Sequence, residues 1–397
     1  MTSYIDKKIS IIHSFMDWHG GAEKLIASFA IRLSQSGFPI ELIAGKISES
    51  WKKEIQKSSN RISLKEFGKQ SRGPSFWLFA QKYANQMESL IDRKSKLLFP
   101  QSYPATLAAV KFKKKFHIPC IWYCHDPTRI LHEDISKSYP FHHELFINAV
   151  RKMHKNSDIT AVRDIDVIIA NSKYTAKNIE KIYNFSEKKI RIIYPGIAFS
   201  ENKKIRKVPA LIKKMKSKNT KIIFCPSALD FRKNFINILE ALNKLQNTQI
   251  KAIFPGGRNE EIKKYRHEIK RLKIEEKTMH IEKLSNEDLQ AYYISSDLVL
   301  YIPINEPFGL VALESLSCKT PVVVSNQGGI AEIVEDGVTG LKVDPKNPRL
   351  IASAIDSILS DNEKAMRMGE MGNKAVQKKF SIEKSVNQLI EIFNKTI

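Results

Sequence analysis

The chain has 397 residues, 42% of them hydrophobic and 27% charged. That length exceeds one ordinary core and that apolar share excludes general disorder, so two folded domains are expected. Lysine and arginine outnumber aspartate and glutamate 65 to 42, and the resulting +23 fits either an anionic partner or simply a lysine-rich proteome.

The first run, KKISIIHSF, reads as a β-strand over Lys8–His13 and not as a signal peptide, because no small-residue cleavage site follows it. Helix Ala22–Gln35 comes next, with Leu25, Ile26, Phe29, Ala30 and Leu33 on one face. Then follow strand Pro39–Ala44, helix Ser75–Asp92, strand Leu97–Pro100, helix Ala105–Lys115 and strand Ile118–Cys124. Helix Phe141–His154, strand Val167–Ala170, helix Tyr174–Tyr183 and strand Ile190–Ile193 complete a first βα alternation. After YPGIAFS the lysine-rich stretch 201–219 reads as a linker with a short helix. Alternation restarts with KIIFC, helix Asn234–Leu245, strand Ile250–Phe254, helix Glu260–Leu272 and strand Met279–Ile281. It continues through helix Asn286–Ile294, strand Leu298–Ile302, helix Gly309–Cys318 and strand Pro321–Val324 to three closing helices, 349–359, 363–379 and 382–393. Such alternation predicts two α/β, doubly wound, Rossmann-like domains with parallel sheets, 1–197 and 198–379, and a tail helix, 380–397, packing back on the first. Ligands in such sheets bind beyond the carboxyl ends of the strands, so two domains facing each other would line a cleft with strand-end loops.

No run approaches the ~20 apolar residues of a bilayer span. Cys120, Cys124, Cys225 and Cys318 lack zinc-ligand spacing and read as free thiols in a reducing cytoplasm.

The stretch NEPFGLVALESLSC holds two carboxylates, Glu306 and Glu314, with seven residues between them. Glu306 falls in the loop after a strand; Gly309 and Leu310 open a helix whose first N–H groups suit an anion or a sugar oxygen. Glu314, on the second helical turn, suits the vicinal hydroxyls of a ribose, although a helix-dipole role would also explain it. Gly20 and Gly21, between the first strand and first helix, allow close backbone approach to a phosphate or make a plain turn. In CPSALDFRKN, Arg232 and Lys233 are cations at a helix start. In WYCHDPTR, His125 ends a strand, where a histidine can bond a sugar or shuttle a proton near neutral pH.

These segments together resemble the family 4 retaining glycosyltransferases of the GT-B fold. The resemblance rests on SSDLVLYIPINEPFGLVALESLSCKTPVVVSNQGGIAEIVEDGVTGLKVDP, on GGAEKLIASFA, on DVIIANSKYTAKNI and on IIYPGI. It implies a hexosyltransferase using a nucleotide-diphosphate sugar, with a glycan or lipid-linked saccharide as acceptor. Glu306 would contact the donor sugar, Glu314 the ribose, the amides of Phe308, Gly309 and Leu310 the sugar and diphosphate, and Lys233 the diphosphate. Gly20 and Gly21 would meet donor or acceptor, and His125 occupies the family's conserved histidine position. The H-x-P-x-R stretch is similar to that of mannosyl- and rhamnosyltransferases and points to a GDP-mannose-type donor. No cofactor or metal is expected, since no Asp-x-Asp motif stands in a suitable loop.

Two departures stand out. The family's arginine, five positions before the lysine, is Ala228 here, so Arg232 or another residue must supply that charge, or activity suffers. The glycine ending the family's helix is Lys319, which loses ~1 kcal/mol if left-handed. The runs KFKKKF (Lys111–Phe116) and RKMHK (Arg151–Lys155) suggest a peripheral contact with an anionic membrane, or solvated faces. A non-catalytic nucleotide-sugar-binding partner subunit and a nucleic-acid-modifying glucosyltransferase are the alternatives, and nucleic acid lacks any supporting motif.

Overall fold

The apolar runs form parallel strands because helices cover both faces of each sheet, which leaves few positions that need be polar. A computed structural model describes residues 4–18, 20–68, 70, 74–132, 142–185, 189–198, 208–247, 249–282 and 284–397. Two units emerge: Met1–Ala198 with Ile382–Ile397, and Phe199–Ser381.

The first unit holds β1 (Ile9–Ile12), β2 (Ile40–Ala44), β3 (Ile62–Glu66), β4 (Leu97–Pro100), β5 (Ile121–Cys124), β6 (Val167–Ala170) and β7 (Ile190–Ile192). Their order is β3-β2-β1-β4 and β5-β6-β7, joined by a bridge between Leu98 and Cys120. The second unit holds β8 (Lys221–Phe224), β9 (Ile250–Pro255), β10 (Thr278–Ile281), β11 (Leu298–Tyr301), β12 (Val322–Ser325) and β13 (Leu341–Val343), in the order β10-β9-β8-β11-β12-β13. Every strand pairing is parallel. Strand order therefore reverses between β1 and β4 in one unit, and between β8 and β11 in the other. Each unit is a doubly wound, Rossmann-like α/β domain.

The closing helix, Ile382–Thr396, belongs to the first unit. Val386, Leu389 and Phe393 are buried in the same core as Phe29 and Phe99, with the Phe393 and Phe99 ring centroids 5.2 Å apart. Burying each such side chain stabilises by about 1.5–3 kcal/mol. The helix is anchored at its start, where Ile382 N donates to Ile197 O and Ser385 Oγ to Tyr194 O.

Several boundaries differ from the sequence reading. Helix Ser75–Asp92 is two helices, Pro74–Leu78 and Ala80–Leu90, because Phe79 leaves helical geometry at φ −107°, ψ 5°. Helix Phe141–His154 runs on as His142–Arg163, and its predicted first residue lies outside the described ones. Strand Ile118–Cys124 begins at Ile121. Helix Glu49–Ser58 and β3 have no predicted counterpart; β3 is an edge strand whose sequence ISLKE mixes charges into the apolar pattern. Of the linker, residues 201–207 lie outside the description, and Ala210–Lys216 is its short helix.

Candidate functional site

In the second unit two loops meet where the strand order reverses. The loop after β8 makes one helical turn over Phe231–Lys233 and ends at Asn234, whose φ of 62° is left-handed, a conformation asparagine tolerates. Asn234 is buried, and its amide donates to the carbonyls of Ile302 and Pro345 at 3.1 and 2.6 Å. Ile304 N then donates to Arg232 O, closing this loop onto the one after β11. Lys233 and Glu306 are brought together as a result. Lys233 Nζ lies 2.8 Å from Glu306 Oε2 and donates to the Tyr301 hydroxyl, also at 2.8 Å. Burial, with the Glu306 charge, raises the Tyr301 phenol well above its ordinary pKa, so it stays protonated.

Glu306 is fixed through its backbone. Its carbonyl accepts from Gly329 N at 2.7 Å, and a Cβ on Gly328 (φ 76°) would stand 2.5 Å from that same oxygen. Only glycine allows this approach. Phe308 is buried beside Phe380, and Gly309 caps helix Leu310–Ser317 at φ 102°, where a Cβ would meet Ile330 at 2.8 Å. The helix thus opens at Leu310, with Gly309 outside it. Glu314 lies on its second turn and accepts from the Tyr293 hydroxyl at 2.8 Å. Burial and the Glu314 charge keep Tyr293 protonated as well.

Arg232 stands apart from the Lys233–Glu306 pair. Its guanidinium grips Asp230, Nη2 to Oδ2 at 2.7 Å, and its side chain is 64% exposed. Burial pushes the Asp230 carboxyl up, but the bonds and charge of Arg232 outweigh it and hold it below the usual range. Ala228 is exposed on the same loop and carries no charge. The neighbouring Arg258 is held by the fully buried Glu261.

The first unit has its own polar cluster at its reversal point. His13 follows β1, Gln101 and Ser102 follow β4, His125 follows β5, and Gly20 caps helix Gly21–Gln35. His13 Nε2 lies 3.4 Å from Glu23 Oε1, and His13 Nδ1 lies 3.2 Å from Ser102 Oγ. His125 Nε2 lies 3.0 Å from Gln101 Oε1, and Asn171 Nδ2 donates to the His125 carbonyl at 2.6 Å. Gly20 has an ordinary extended backbone, so its need for no side chain is steric: a Cβ would fall 2.2 Å from Glu23 Oε2. Glu23 Oε2 thus occupies the place that a side chain at position 20 would take. Burial pushes Glu23 up, but bonds from His13 and Trp18, with the His13 charge, leave it below the usual carboxylate range. Burial, then the His13 charge, lowers His125 to about 3, which favours its neutral, hydrogen-bonding form near pH 7.

The basic runs divide in the same way. Lys113 pairs with Asp166 and Lys114 with Asp164, while Phe112 is buried and the Phe116 ring lies tilted against it, centroids 4.4 Å apart. Helix Ala105–Phe116 therefore does not present its aromatics as a membrane face. On the other run, His154 is buried between Tyr103 and Trp77, and Arg151 Nε donates to Ile130 O. Exposed apolar side chains stand on the packed helices Pro74–Leu78 and His142–Arg163 and just after the first: Leu78, Leu145, Met153 and Phe79. Among the described residues no helix is long and apolar enough to cross a membrane.

The comparisons follow this geometry. Residues 208–375 match the family model described as glycosyl transferases group 1, and residues 19–201 match that of glycosyltransferase family 4. An uncharacterised glycosyltransferase of Methanocaldococcus jannaschii is 27% identical over 57% of this chain and 59% of its own. A D-inositol 3-phosphate glycosyltransferase of Corynebacterium glutamicum is 35% identical over 36% of this chain and 34% of its own. The match thus spans well under two thirds of either relative. A human alpha-1,3/1,6-mannosyltransferase is 25% identical over 70% of this chain and 68% of its own. Among solved structures, sucrose-phosphate synthase from Thermosynechococcus elongatus superposes with a TM-score of 0.79 at 17% identity, covering 98% of both chains. Anabaena HepE in complex with UDP gives 0.76 at 18% identity, over 98% of this chain and all of its own, which speaks for the fold alone. With one model on each unit and both sheets doubly wound, the chain belongs to the family 4 glycosyltransferases, group 1, of GT-B fold.

Proposed function

We propose that the chain is a retaining hexosyltransferase that moves a hexose from a nucleotide-diphosphate sugar to a glycan or lipid-linked saccharide. The observation that carries the reading is the Lys233–Glu306–Tyr301 contact at the reversal point of the second sheet, beside a helix whose Glu314 is held by Tyr293. A cation, an ionisable hydroxyl acceptor and a helix N-terminus in one place suit a diphosphate joined to a sugar. In this reading Lys233 and the helix amides neutralise the leaving diphosphate, with no metal taking part. Glu306 accepts from a sugar hydroxyl and Glu314 from the ribose. The acceptor hydroxyl attacks from the face the diphosphate leaves, its proton passing to the departing phosphate oxygen, so no glutamate acts as covalent nucleophile. His125 takes part as a neutral hydrogen-bonding group.

The donor we favour is of GDP-mannose type, supported by the HDPTR stretch and by the likeness to the human mannosyltransferase. A UDP-sugar is the competing donor, because the solved neighbour HepE carries UDP. Calorimetry with GDP-mannose and UDP-glucose decides between them, and release of nucleotide tests catalysis. A protein that binds a nucleotide sugar but neither hydrolyses nor transfers it would instead be a non-catalytic partner subunit, the reading Ala228 favours. We assign peripheral attachment to a lipid surface to the exposed Leu78, Phe79, Leu145 and Met153, with Lys152 and Lys155 on the same helix as the last two. Sedimentation with anionic vesicles tests this, and Leu145→Asp with Met153→Asp should abolish the bound fraction.

A further inference from the structure

We infer that helix Asn362–Lys379 positions the donor-binding helix Leu310–Ser317 along its length, and that Phe380, just past its end, is a positioning residue for the amides facing the diphosphate. The inference rests on the glycosyl-transfer reading and adds residues that themselves stay clear of donor and acceptor.

The two helices run antiparallel in close contact: residues 369, 372 and 380 of one meet 319, 316 and 308 at the other. A Cβ on Gly369 would stand 2.0 Å from Lys319 O, and one on Gly372 would stand 2.4 Å from Leu316 Cδ2. Neither glycine has a positive φ, so what demands them is the nearness of the other helix. Asn373 is buried; its Nδ2 donates to Ser317 O at 2.9 Å, and its Oδ1 accepts from Gln377 Nε2 at 3.0 Å. The first bond satisfies one of the carbonyls that a helix leaves unpaired at its carboxyl end. Two glycines and an amide thus grip helix Leu310–Ser317 at its closing end.

At the opening end the contact is aromatic. Phe380 N donates to Val376 O at 2.8 Å, and at φ −128°, ψ 37° the residue leaves helical geometry. Its ring centroid lies 6.1 Å from that of Phe308, the planes tilted by 58°, and both residues are buried. Phe308 stands immediately before Gly309, whose φ of 102° makes the turn into the helix. A ring held from outside fixes where the Phe308 backbone points, and the amides of this turn are those assigned to sugar and diphosphate. Displacing such groups by about 1 Å is enough to cost a large factor in rate.

The gripping helix is also the last of its unit. The chain leaves the second unit after Ser381, and Ile382 opens the helix that belongs to the first. The hold on Phe308 and the passage between units are therefore adjacent in the chain. A donor that orders the start of helix Leu310–Ser317 orders the residues of that passage with it.

Hydrogen exchange and calorimetry on the full chain test this, with UDP and GDP as probes. The diphosphate that binds should slow exchange at residues 310–313 and at 376–381 together. Phe380→Ala should weaken that diphosphate about three- to ten-fold, less than loss of a cation would, because the amides are displaced and not removed. It should also confine the protection to 310–313. Leu245→Ala, a cavity elsewhere in the same unit, should change neither affinity nor pattern, which separates positioning from general loss of stability. Protection that stops short of 376 in the unaltered chain would overturn the inference, and this measurement stands even if Phe380→Ala does not fold. Affinity within two-fold in Phe380→Ala, or an equal loss in Leu245→Ala, would overturn it too. Binding of neither UDP nor GDP to the unaltered chain would instead sink the glycosyl-transfer reading, and the inference with it.

Discussion

Glu306→Gln gives the sharpest test of the second unit's geometry. In the structure Glu306 and a diphosphate would compete for one cation, since Lys233 Nζ lies 2.8 Å from the carboxylate. The pair is partly buried, its side chains 28% and 18% exposed, so its worth lies near the upper end of an exposed ion pair, about 1 kcal/mol. Glutamine keeps the shape and a hydrogen-bond acceptor but removes the charge. Free UDP or GDP should therefore bind about five-fold more tightly to the variant, while turnover of the intact nucleotide sugar falls at least ten-fold because the sugar hydroxyl loses its carboxylate. Calorimetry with the free diphosphate and steady-state kinetics with the nucleotide sugar measure the two effects separately. A variant that binds the free diphosphate more weakly would show that Glu306 orients Lys233 for the phosphates and does not compete with them. The division of labour between the two side chains would then be wrong.

Lys233→Ala should lower kcat/KM by about ten- to a hundred-fold, the ~1.5–3 kcal/mol of a charged hydrogen bond, with Ala228→Arg recovering part of the loss in the double variant. Tyr293→Phe should weaken free diphosphate binding about three- to ten-fold by releasing Glu314, and an effect under two-fold would detach Tyr293 from the nucleotide. Lys319, exposed and left-handed at φ 59°, should gain about 0.5–1 kcal/mol on substitution by glycine, read from chemical denaturation. Gly369→Ala should cost about 1–3 kcal/mol, because its Cβ would lie 2.0 Å from Lys319 O. His125, lowered to about 3, should contribute no ionisation to a pH–rate profile between about pH 5 and 8. Its neutral folded form instead favours the native state above its unfolded pKa of about 6.5, a contribution lost as pH falls from there toward 3. Acid denaturation of His125→Gln should accordingly be shallower over that window.

How much of this was legible beforehand depended on the kind of residue. Strands such as ISII and VVVS announce themselves because burial on both faces leaves an unbroken apolar run, whereas ISLKE at the sheet edge keeps charges and hides. Glu306, Glu314 and Lys233 were legible from motif spacing, but their contacts were not: the pairing of Lys233 with Glu306 joins positions 73 residues apart. Tyr301 and Tyr293 carry no motif, and a tyrosine in a strand or helix reads as core until a carboxylate is found at its hydroxyl. Asn234 left one usable signal, an asparagine between a basic turn and an apolar helix, where a left-handed residue is often required. Glu23 stood in plain view inside GGAE, but the glycines drew the phosphate reading to themselves. Only the structure shows that Glu23 Oε2 stands where a Cβ on Gly20 would be.

The two clusters also explain why the net charge of +23 is a poor guide to ligand placement. Much of it is spent locally, as where Lys113 and Lys114 face Asp166 and Asp164, and exposed charge of this kind is screened within about 10 Å. What discriminates ligands is the sign held in the crevice. The second unit keeps a lysine there that can exchange one anionic partner for another, since a diphosphate can replace Glu306 without leaving a cation stranded. The first unit keeps a buried carboxylate facing His13, with His125 held neutral beside them. Equivalent positions in two similar folds thus hold different charge pairs, a lysine with a glutamate in one and a histidine with a glutamate in the other.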